Sequence, residues 1–154
     1  MSKSTFEEEL SRTGILHYTI SGVSMLPLLH QHKDIVVIKK ADGRLKKYDV
    51  ALYKMPDGRY ILHRILKVRE KDYIICGDNC IRREYGITDR NIIGVMTEYI
   101  RNGKPHSVND AGYRLYSHAI ANLYHIKAAV LWNKKLLVRT VRKAGKILKN
   151  TAAL

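Results

Sequence analysis

The feature that most constrains this fold is a series of short apolar segments from His17 to Val108, separated by turn signals and not by helices. Gly, Asp, Asn and Pro mark the breaks between these segments. Consecutive strands without intervening helices predict an antiparallel sheet or barrel. The sequence therefore predicts a mostly-β domain. Five of its strands are the segments HYTIS, DIVVIKKA, DVALYKM, RYILHRILKV and DYIICG.

Two hairpins are predicted within this region. The stretch VALYKMPDGRYILHRI places the turn residues Pro56-Asp57-Gly58 between two apolar runs. Further along, NIIGVMTEYI is followed by Asn102-Gly103, a strong signal for a two-residue hairpin turn.

Short helical segments flank the predicted sheet. Ser4 stands three residues before Glu7 in a capping-box pattern, and Gly14 suits a left-handed helix end. After Asn109-Asp110 the apolar residues recur at spacings of three and four among many Lys and Arg residues. We therefore divide the chain into an N-terminal helix, a β domain and a basic amphipathic helical tail, at residues 1–16, 17–108 and 109–154.

Charge and hydropathy limit the possible partners of the protein and the cellular compartment in which it is expected. Of a net charge of +14, residues 111–154 contribute nine basic residues and no acid, so the tail favours an anionic surface. The sequence shows no secretory leader and no apolar run long enough to cross a membrane. We expect a protein that is cytoplasmic or peripheral to a membrane.

Ser24, in the stretch SGVSMLP, is a candidate nucleophile. Gly22 allows unusual backbone angles in this loop, but a serine needs a base within hydrogen-bond reach. His63 lies mid-strand in YILHRIL, where a sheet would hold its imidazole in one orientation. The alternative for His63 is an ordinary half-buried strand residue.

Residues 76–80, CGDNC, add an acid and two thiols. A hairpin return could bring Asp78 near His63 to fix its tautomer, or Asp78 could simply cap its own turn. Cys76 and Cys80 are too few for a disulfide framework or a self-contained zinc site. We interpret them as structural cysteines, in preference to a Cys/His nucleophile pair or metal ligands, and expect neither metal nor cofactor.

Five stretches in order resemble the conserved boxes of the signal peptidase I superfamily, which includes LexA-like self-cleaving peptidases. The resemblance covers residues 17–108 and implies a compact all-β catalytic fold and a serine endopeptidase that cleaves after small residues. The stretches are SGVSMLP at 21–27, KKYDVALYK at 46–54, LHRI at 62–65, CGDN at 76–79 and IIGVM at 92–96.

The resemblance implies roles for individual residues. Ser24 matches the nucleophile, and His63 stands where most bacterial members have a lysine base, as in the Ser/His subtype. Asp78 matches the acid of the Gly-Asp-Asn box, and Asp89 is a second acidic candidate. Gly22 stands where some members have an oxyanion serine, so the hole would rest on backbone N–H groups around Ser24 and Met25.

Partners follow from the same resemblance and from the tail. The expected substrate is a precursor or leader peptide bound as an added strand.

Members typically carry a membrane anchor before the serine box, whereas this chain has an acidic helix there. The basic tail at 111–149 is therefore expected to contact anionic lipid, although it could also pack on the sheet. Only 16 residues precede the β domain, which argues against a DNA-binding module. The competing function is a non-catalytic peptide-binding or maturation-partner module.

Overall fold

A computed structural model describes residues 5–124, 126 and 129–130. The chain divides into two compact units, residues 1–122 and 123–154. Most of the predicted basic helix, including Trp132 and the following Lys and Arg residues, lies outside the described residues. The three-part division of the chain at residues 16 and 108 stays a prediction.

The described part of the first unit is an antiparallel β structure with a short helix at each end, which confirms the mostly-β prediction. In chain order the elements are α1 (Phe6–Thr13), β1 (Ile15–Thr19), β2 (Ile35–Lys40), β3 (Val50–Lys54), β4 (Tyr60–Val68), β5 (Tyr73–Cys76), β6 (Glu84–Ile87), β7 (Ile92–Arg101), β8 (Lys104–Ser107) and α2 (Ala111–Asn122).

Helix α1 begins one residue later than the capping pattern predicts. Thr5, not Ser4, is the cap: Glu8 N donates to Thr5 Oγ1 at 3.3 Å, and Thr5 N donates to Glu8 Oε2 at 2.8 Å. The predicted left-handed end at Gly14 is confirmed, with φ of 73° and its N–H bonded to Leu10 O. Two candidate boxes overlap in this sequence, and the second one forms.

The strands make one sheet in the order β1-β2-β7-β3-β4-β5-β6, with β8 paired to β7. Both predicted hairpins are confirmed, since β3 pairs with β4 and β7 pairs with β8, in each case antiparallel. The long strand β7 joins the two hairpins by pairing also with β2 and β3. The sheet thus connects segments far apart in the sequence.

The two halves of strand β4 differ in the strands with which they pair. Residues Tyr60 to Arg64 pair with Lys54 to Val50 of β3, whereas pairing with β5 begins only at Arg64 and continues to Val68. Among the described residues, the stretch from Tyr60 to His63 therefore has a neighbouring strand on one side only.

Side chains alternate along β3 between two apolar clusters. Val50 and Leu52 belong to a cluster with α1, β1 and β2, whereas Ala51 and Tyr53 belong to a second cluster with Ile65 and β5. His63 is the register partner of Ala51, so it projects on the face of the second cluster. This alternation decides which residues can surround the imidazole.

Helix α2 forms as predicted after Asp110. Of its residues, Leu115 is 75% exposed, whereas Ser117 and Ala121 are buried. Tyr113 and Tyr116 of this helix pack against the first apolar cluster, and their hydroxyls bond to Arg64 and Asp78. In the part of the chain that the structure describes, no helix has the length and apolarity needed to span a membrane.

Candidate active site

The Ser24 loop connects β1 and β2 and is anchored by apolar side chains. Gly22 has a φ of 101°, which an L side chain rarely adopts, and its N–H donates to Gln31 Oε1 at 3.2 Å. Met25 and Leu29 are buried in the first cluster. The Met25 side chain is 2% exposed and anchors the loop in the core. Ser24 itself is half-buried at the surface of this anchored loop.

The Gly-Asp-Asn turn holds the serine loop in place through Asn79. Asn79 N donates to the Ser24 carbonyl oxygen at 2.7 Å, and Asn79 Nδ2 donates to the Val23 carbonyl oxygen at 3.2 Å. Two hydrogen bonds from one residue thus fix the peptide groups on either side of Ser24. Sequence reasoning missed this role, because nothing in the CGDN stretch indicates which loop it contacts.

His63 lies mid-strand, as predicted, and is only 7% exposed. Its Nε2 meets the serine loop at Gly77: a side-chain carbon added there would lie 3.0 Å from Nε2 and 2.6 Å from the Ser24 carbonyl oxygen. Such distances leave no room for any side chain at position 77. The structure therefore brings the Ser24 loop and His63 Nε2 to one point, across the bare backbone of Gly77.

The other imidazole nitrogen faces two partners, Tyr53 and Glu84. His63 Nδ1 lies 3.3 Å from Tyr53 Oη and 3.4 Å from Glu84 Oε1. The Tyr53 hydroxyl donates to Glu84 Oε2, and its single proton is thereby used. Tyr53 Oη must then accept from Nδ1–H, which leaves the lone pair of the neutral imidazole on Nε2.

Local electrostatics favour a charged Glu84 beside this imidazole. Burial raises the pKa of Glu84, but hydrogen bonds from His63 and Tyr53 outweigh burial and hold that pKa below its ordinary value. Burial, together with the hydrogen bond to Glu84, raises the pKa of Tyr53 and keeps its hydroxyl protonated. An ionised carboxylate next to Nδ1 stabilises the imidazolium that forms when Nε2 takes a proton.

Neither acid considered from the sequence occupies this position. Both oxygens of Asp78 accept from the guanidinium of Arg64, at 2.8 and 2.7 Å, and Tyr116 Oη donates to Oδ2 at 3.0 Å. Asp89 accepts from Arg44 and from the Tyr73 hydroxyl. The expectation that Asp78 or Asp89 orients His63 is therefore not met: Asp78 neutralises a buried cation because Arg64 is fully buried on the opposite face of β4.

Backbone donors are available where the sequence placed an oxyanion hole. Within residues 5–124, the N–H groups of Ser24 and Met25 have no acceptor, whereas Leu26 N bonds to Val23 O and Leu29 N bonds to Met25 O. Two unused donors beside a nucleophile are what a tetrahedral oxyanion requires.

The described residues contain no group of three or more His, Cys, Asp or Glu side chains arranged to hold a metal ion. Cys76 is buried at the end of β5, as expected for a strand core position. Cys80 is half-buried, and its Sγ would lie 2.9 Å from a carbon added to Gly77. One thiol is thus part of the core and the other borders the site.

Comparison with known proteins gives no independent indication of what this site does. No protein family, curated protein or solved structure matches the chain. What the site does is therefore inferred from its geometry and from the resemblance carried by the sequence stretches.

Tyr53 and Glu84 are the site residues that sequence reasoning missed. The predicted hairpin contains a signal for Tyr53: Ala51 opposes His63, and Tyr53 lies two residues along on the same face, a diagonal cross-strand neighbour. Glu84 has no such local signal. It reaches the imidazole because β6 pairs with β5, with Glu84 opposite Ile75.

Proposed function

We propose that this protein is a serine endopeptidase of the signal peptidase type, with Ser24 as nucleophile, His63 as general base and Glu84 as the acid that orients His63. The supporting observation is the meeting of the Ser24 loop and His63 Nε2 across Gly77, with Nδ1 held by Tyr53 and Glu84 on the far side. A nucleophile, a base and an orienting acid in this order form the arrangement that acyl transfer uses.

In the proposed acylation step, Ser24 Oγ attacks the scissile carbonyl carbon while its proton passes to His63 Nε2. The carbonyl oxygen becomes an oxyanion and accepts from the free N–H groups of Ser24 and Met25. As the tetrahedral intermediate collapses, the C–N bond breaks and the imidazolium returns its proton to the leaving amine. An acyl ester on Ser24 remains.

Deacylation repeats the same proton transfers with water as the nucleophile. His63 Nε2 takes a proton from the water as its oxygen attacks the ester carbonyl. Collapse then breaks the ester C–O bond, and the imidazolium protonates Ser24 Oγ. In both steps the charge on Glu84 stabilises the imidazolium.

Strand β4 offers a backbone edge for an extended peptide next to the base. Met55 N bonds to Arg59 O, and Ile65 N bonds to Asp49 O, so the odd-numbered residues of β4 direct their backbone groups toward β3. Tyr60 and Leu62 then direct theirs to the side on which β5 pairs only from Arg64 onward. An added strand on this side would run directly past His63.

The substrate class comes from the sequence resemblance, which implies precursor or leader peptides cut after a small residue. Among the described residues, Tyr60 to His63 of β4 pair with a strand on one side only, and the loop residue Val23 beside Ser24 is exposed. Both features support a substrate that binds in an extended form over the surface.

We further propose that the second unit contacts anionic lipid. Its described residues Leu123, Ile126 and Val130 are each at least half exposed, and their spacing of three and four puts them on one side of a helix. The sequence around them is basic and has no acid from residue 111 onward. Exposed apolar residues among basic ones are typical of helices that lie in a lipid interface.

The test of the peptidase proposal is cleavage of a peptide library with small residues at varied positions, followed by mass spectrometry of the products. Ser24→Ala removes the nucleophile, and His63→Gln removes the base while keeping a polar side chain of similar size. Thr97→Ala, a hydroxyl removed elsewhere in the sheet, is the matched control. Cleavage by wild type and Thr97→Ala, and by neither site variant, is the expected result.

A further inference from the structure

Gly77 is approached by a thiol as well as by the serine loop and the imidazole. A carbon added to Gly77 would lie 2.9 Å from Cys80 Sγ and 3.0 Å from His63 Nε2. The two atoms therefore border the same small space beside Gly77. Cys80 follows Gly77 by only three residues in the sequence. From the sequence alone, Cys80 is interpreted as a structural cysteine.

The two cysteines of the CGDNC turn differ in solvent exposure. Cys76 is 2% exposed and its Sγ points to the carbonyl oxygens of Cys80 and Arg82. Cys80 is half-buried and follows the exposed Asn79 at the tip of the turn. Cys80 is therefore the more exposed of the two residues, whereas Cys76 is covered.

A neutral imidazole nitrogen beside a thiol is a base for it. Hydrogen bonding at Nδ1 leaves the lone pair of His63 on Nε2, and a thiol loses its proton far more readily than a serine hydroxyl. Only the thiolate attacks electrophiles. The geometry thus places a base near the thiol of the more exposed cysteine.

We propose that Cys80 is a modification site for small disulfides, and that the mixed disulfide formed there blocks His63. The thiol proton passes to His63 Nε2, and the thiolate attacks one sulfur of the reagent. The reagent's S–S bond breaks, a Cys80–S–S–R bond forms, and the departing thiolate takes the proton from the imidazolium. The small disulfide is the oxidant, and excess free thiol reverses the reaction.

The consequence of this modification rests on the proposed function. The adduct would occupy the space beside Nε2, so the base could no longer reach the Ser24 hydroxyl. A peptidase built this way is active under reducing conditions and inactive in the presence of disulfides. The modification itself does not depend on the protein being a peptidase.

The test uses the full-length protein and glutathione disulfide, with the adduct located by peptide mass spectrometry. One glutathione on Cys80 and none on Cys76 is expected while the protein is folded. His63→Gln should slow the reaction about tenfold near pH 7, because an unassisted thiol is only a few per cent ionised there. His118→Gln, on α2 away from this turn, is the matched control and should react at the wild-type rate.

A second measurement covers the case in which His63→Gln does not fold. The wild-type rate at Cys80 should change little between pH 8 and pH 7, whereas the rate of a free thiol falls about tenfold over that unit. Equal rates in wild type and folded His63→Gln, a free-thiol pH dependence, or modification of Cys76 first would overturn the proposal. Adduct formation without any peptidase activity would leave this inference standing and count against the proposed function alone.

Discussion

Glu84 Oε1 lies 3.4 Å from His63 Nδ1, and the Tyr53 hydroxyl bridges the two side chains. The imidazole is therefore oriented by an acid from β6, a strand separated from β4 by β5 in the sheet order. The acid of the Gly-Asp-Asn turn, Asp78, instead neutralises Arg64 on the other face of β4. The two carboxylates have separate tasks, one at the site and one in the interior.

Replacing Glu84 should impair the proposed peptidase activity without unfolding the protein. Glu84→Gln removes the charge that stabilises the imidazolium, and we expect kcat/KM to fall about 10- to 100-fold, as for other residues that orient a catalytic group. Asp89→Asn is the matched control, since Asp89 bonds to Arg44 and Tyr73 and not to His63. An equal loss in both variants would contradict the assignment of Glu84.

The same carboxylate should make stability depend on pH in a defined window. Because the folded-state pKa of Glu84 is below its ordinary value of 4.5, its contribution to stability is present above that value and is lost as the pH falls through the lower folded pKa. The difference in unfolding free energy between wild type and Glu84→Gln should be largest near pH 7 and shrink below about pH 4.5. Urea unfolding at several pH values measures it, and a constant difference would count against the lowered pKa of Glu84.

Gly77 should tolerate no side chain. In Gly77→Ala the new carbon would meet the Ser24 carbonyl oxygen at 2.6 Å, so the serine loop must move away from the imidazole. A displacement of about 1 Å at a reacting group can cost roughly 100-fold in rate. Gly112→Ala is the matched control, because that position has open space around it. Full activity in Gly77→Ala would show that the approach at Gly77 is not needed.

Asp78 should matter for stability. Removing its carboxylate in Asp78→Ala leaves the charge of Arg64 buried without its partner, which typically costs about 3–5 kcal/mol of unfolding free energy. Asp57→Asn tests an exposed aspartate that pairs with Arg59 at 2.7 Å on the β3–β4 hairpin, and should change stability little. Denaturant unfolding compares them, and similar losses in both variants would contradict the buried role.

The basic tail should bind anionic vesicles in a salt-dependent way. Each basic residue near the surface contributes about 1 kcal/mol, so Lys134→Ala with Lys135→Ala should weaken binding roughly 30-fold. Lys39→Ala with Lys40→Ala removes the same charge from β2 and is the control. Duplex DNA tested in parallel provides the alternative outcome: binding to DNA and not to vesicles would assign the tail to nucleic acid.

Local sequence signals predicted the local parts of this structure. The turn residues Pro56-Asp57-Gly58 and Asn102-Gly103 sit between the paired strands where expected, and the mid-strand position of His63 follows from the pattern of β4. These features depend on neighbours within a few residues of one another. Periodicity and turn chemistry are sufficient for them.

Long-range pairings decided the rest of the candidate site. Glu84 reaches His63 through the β5–β6 pairing, and Asn79 reaches the Ser24 loop across 55 residues of sequence. The pairing of Asp78 with Arg64 could not be predicted from the sequence either. Arg64 is adjacent to His63 in the chain, but its side chain projects to the opposite face of the strand. A sequence pattern identifies a carboxylate, but the sheet determines which cation or imidazole it meets.

The most direct test of the central claim is covalent capture of the acyl enzyme. Wild type, Ser24→Ala and His63→Gln are incubated with the cleaved peptides of the library, quenched in acid, and digested to locate any added acyl group by mass spectrometry. The account predicts an acyl group on Ser24 in wild type, none in Ser24→Ala, and strongly reduced acylation in His63→Gln. Cleavage that persists in Ser24→Ala, or an acyl group on any other residue, would contradict it.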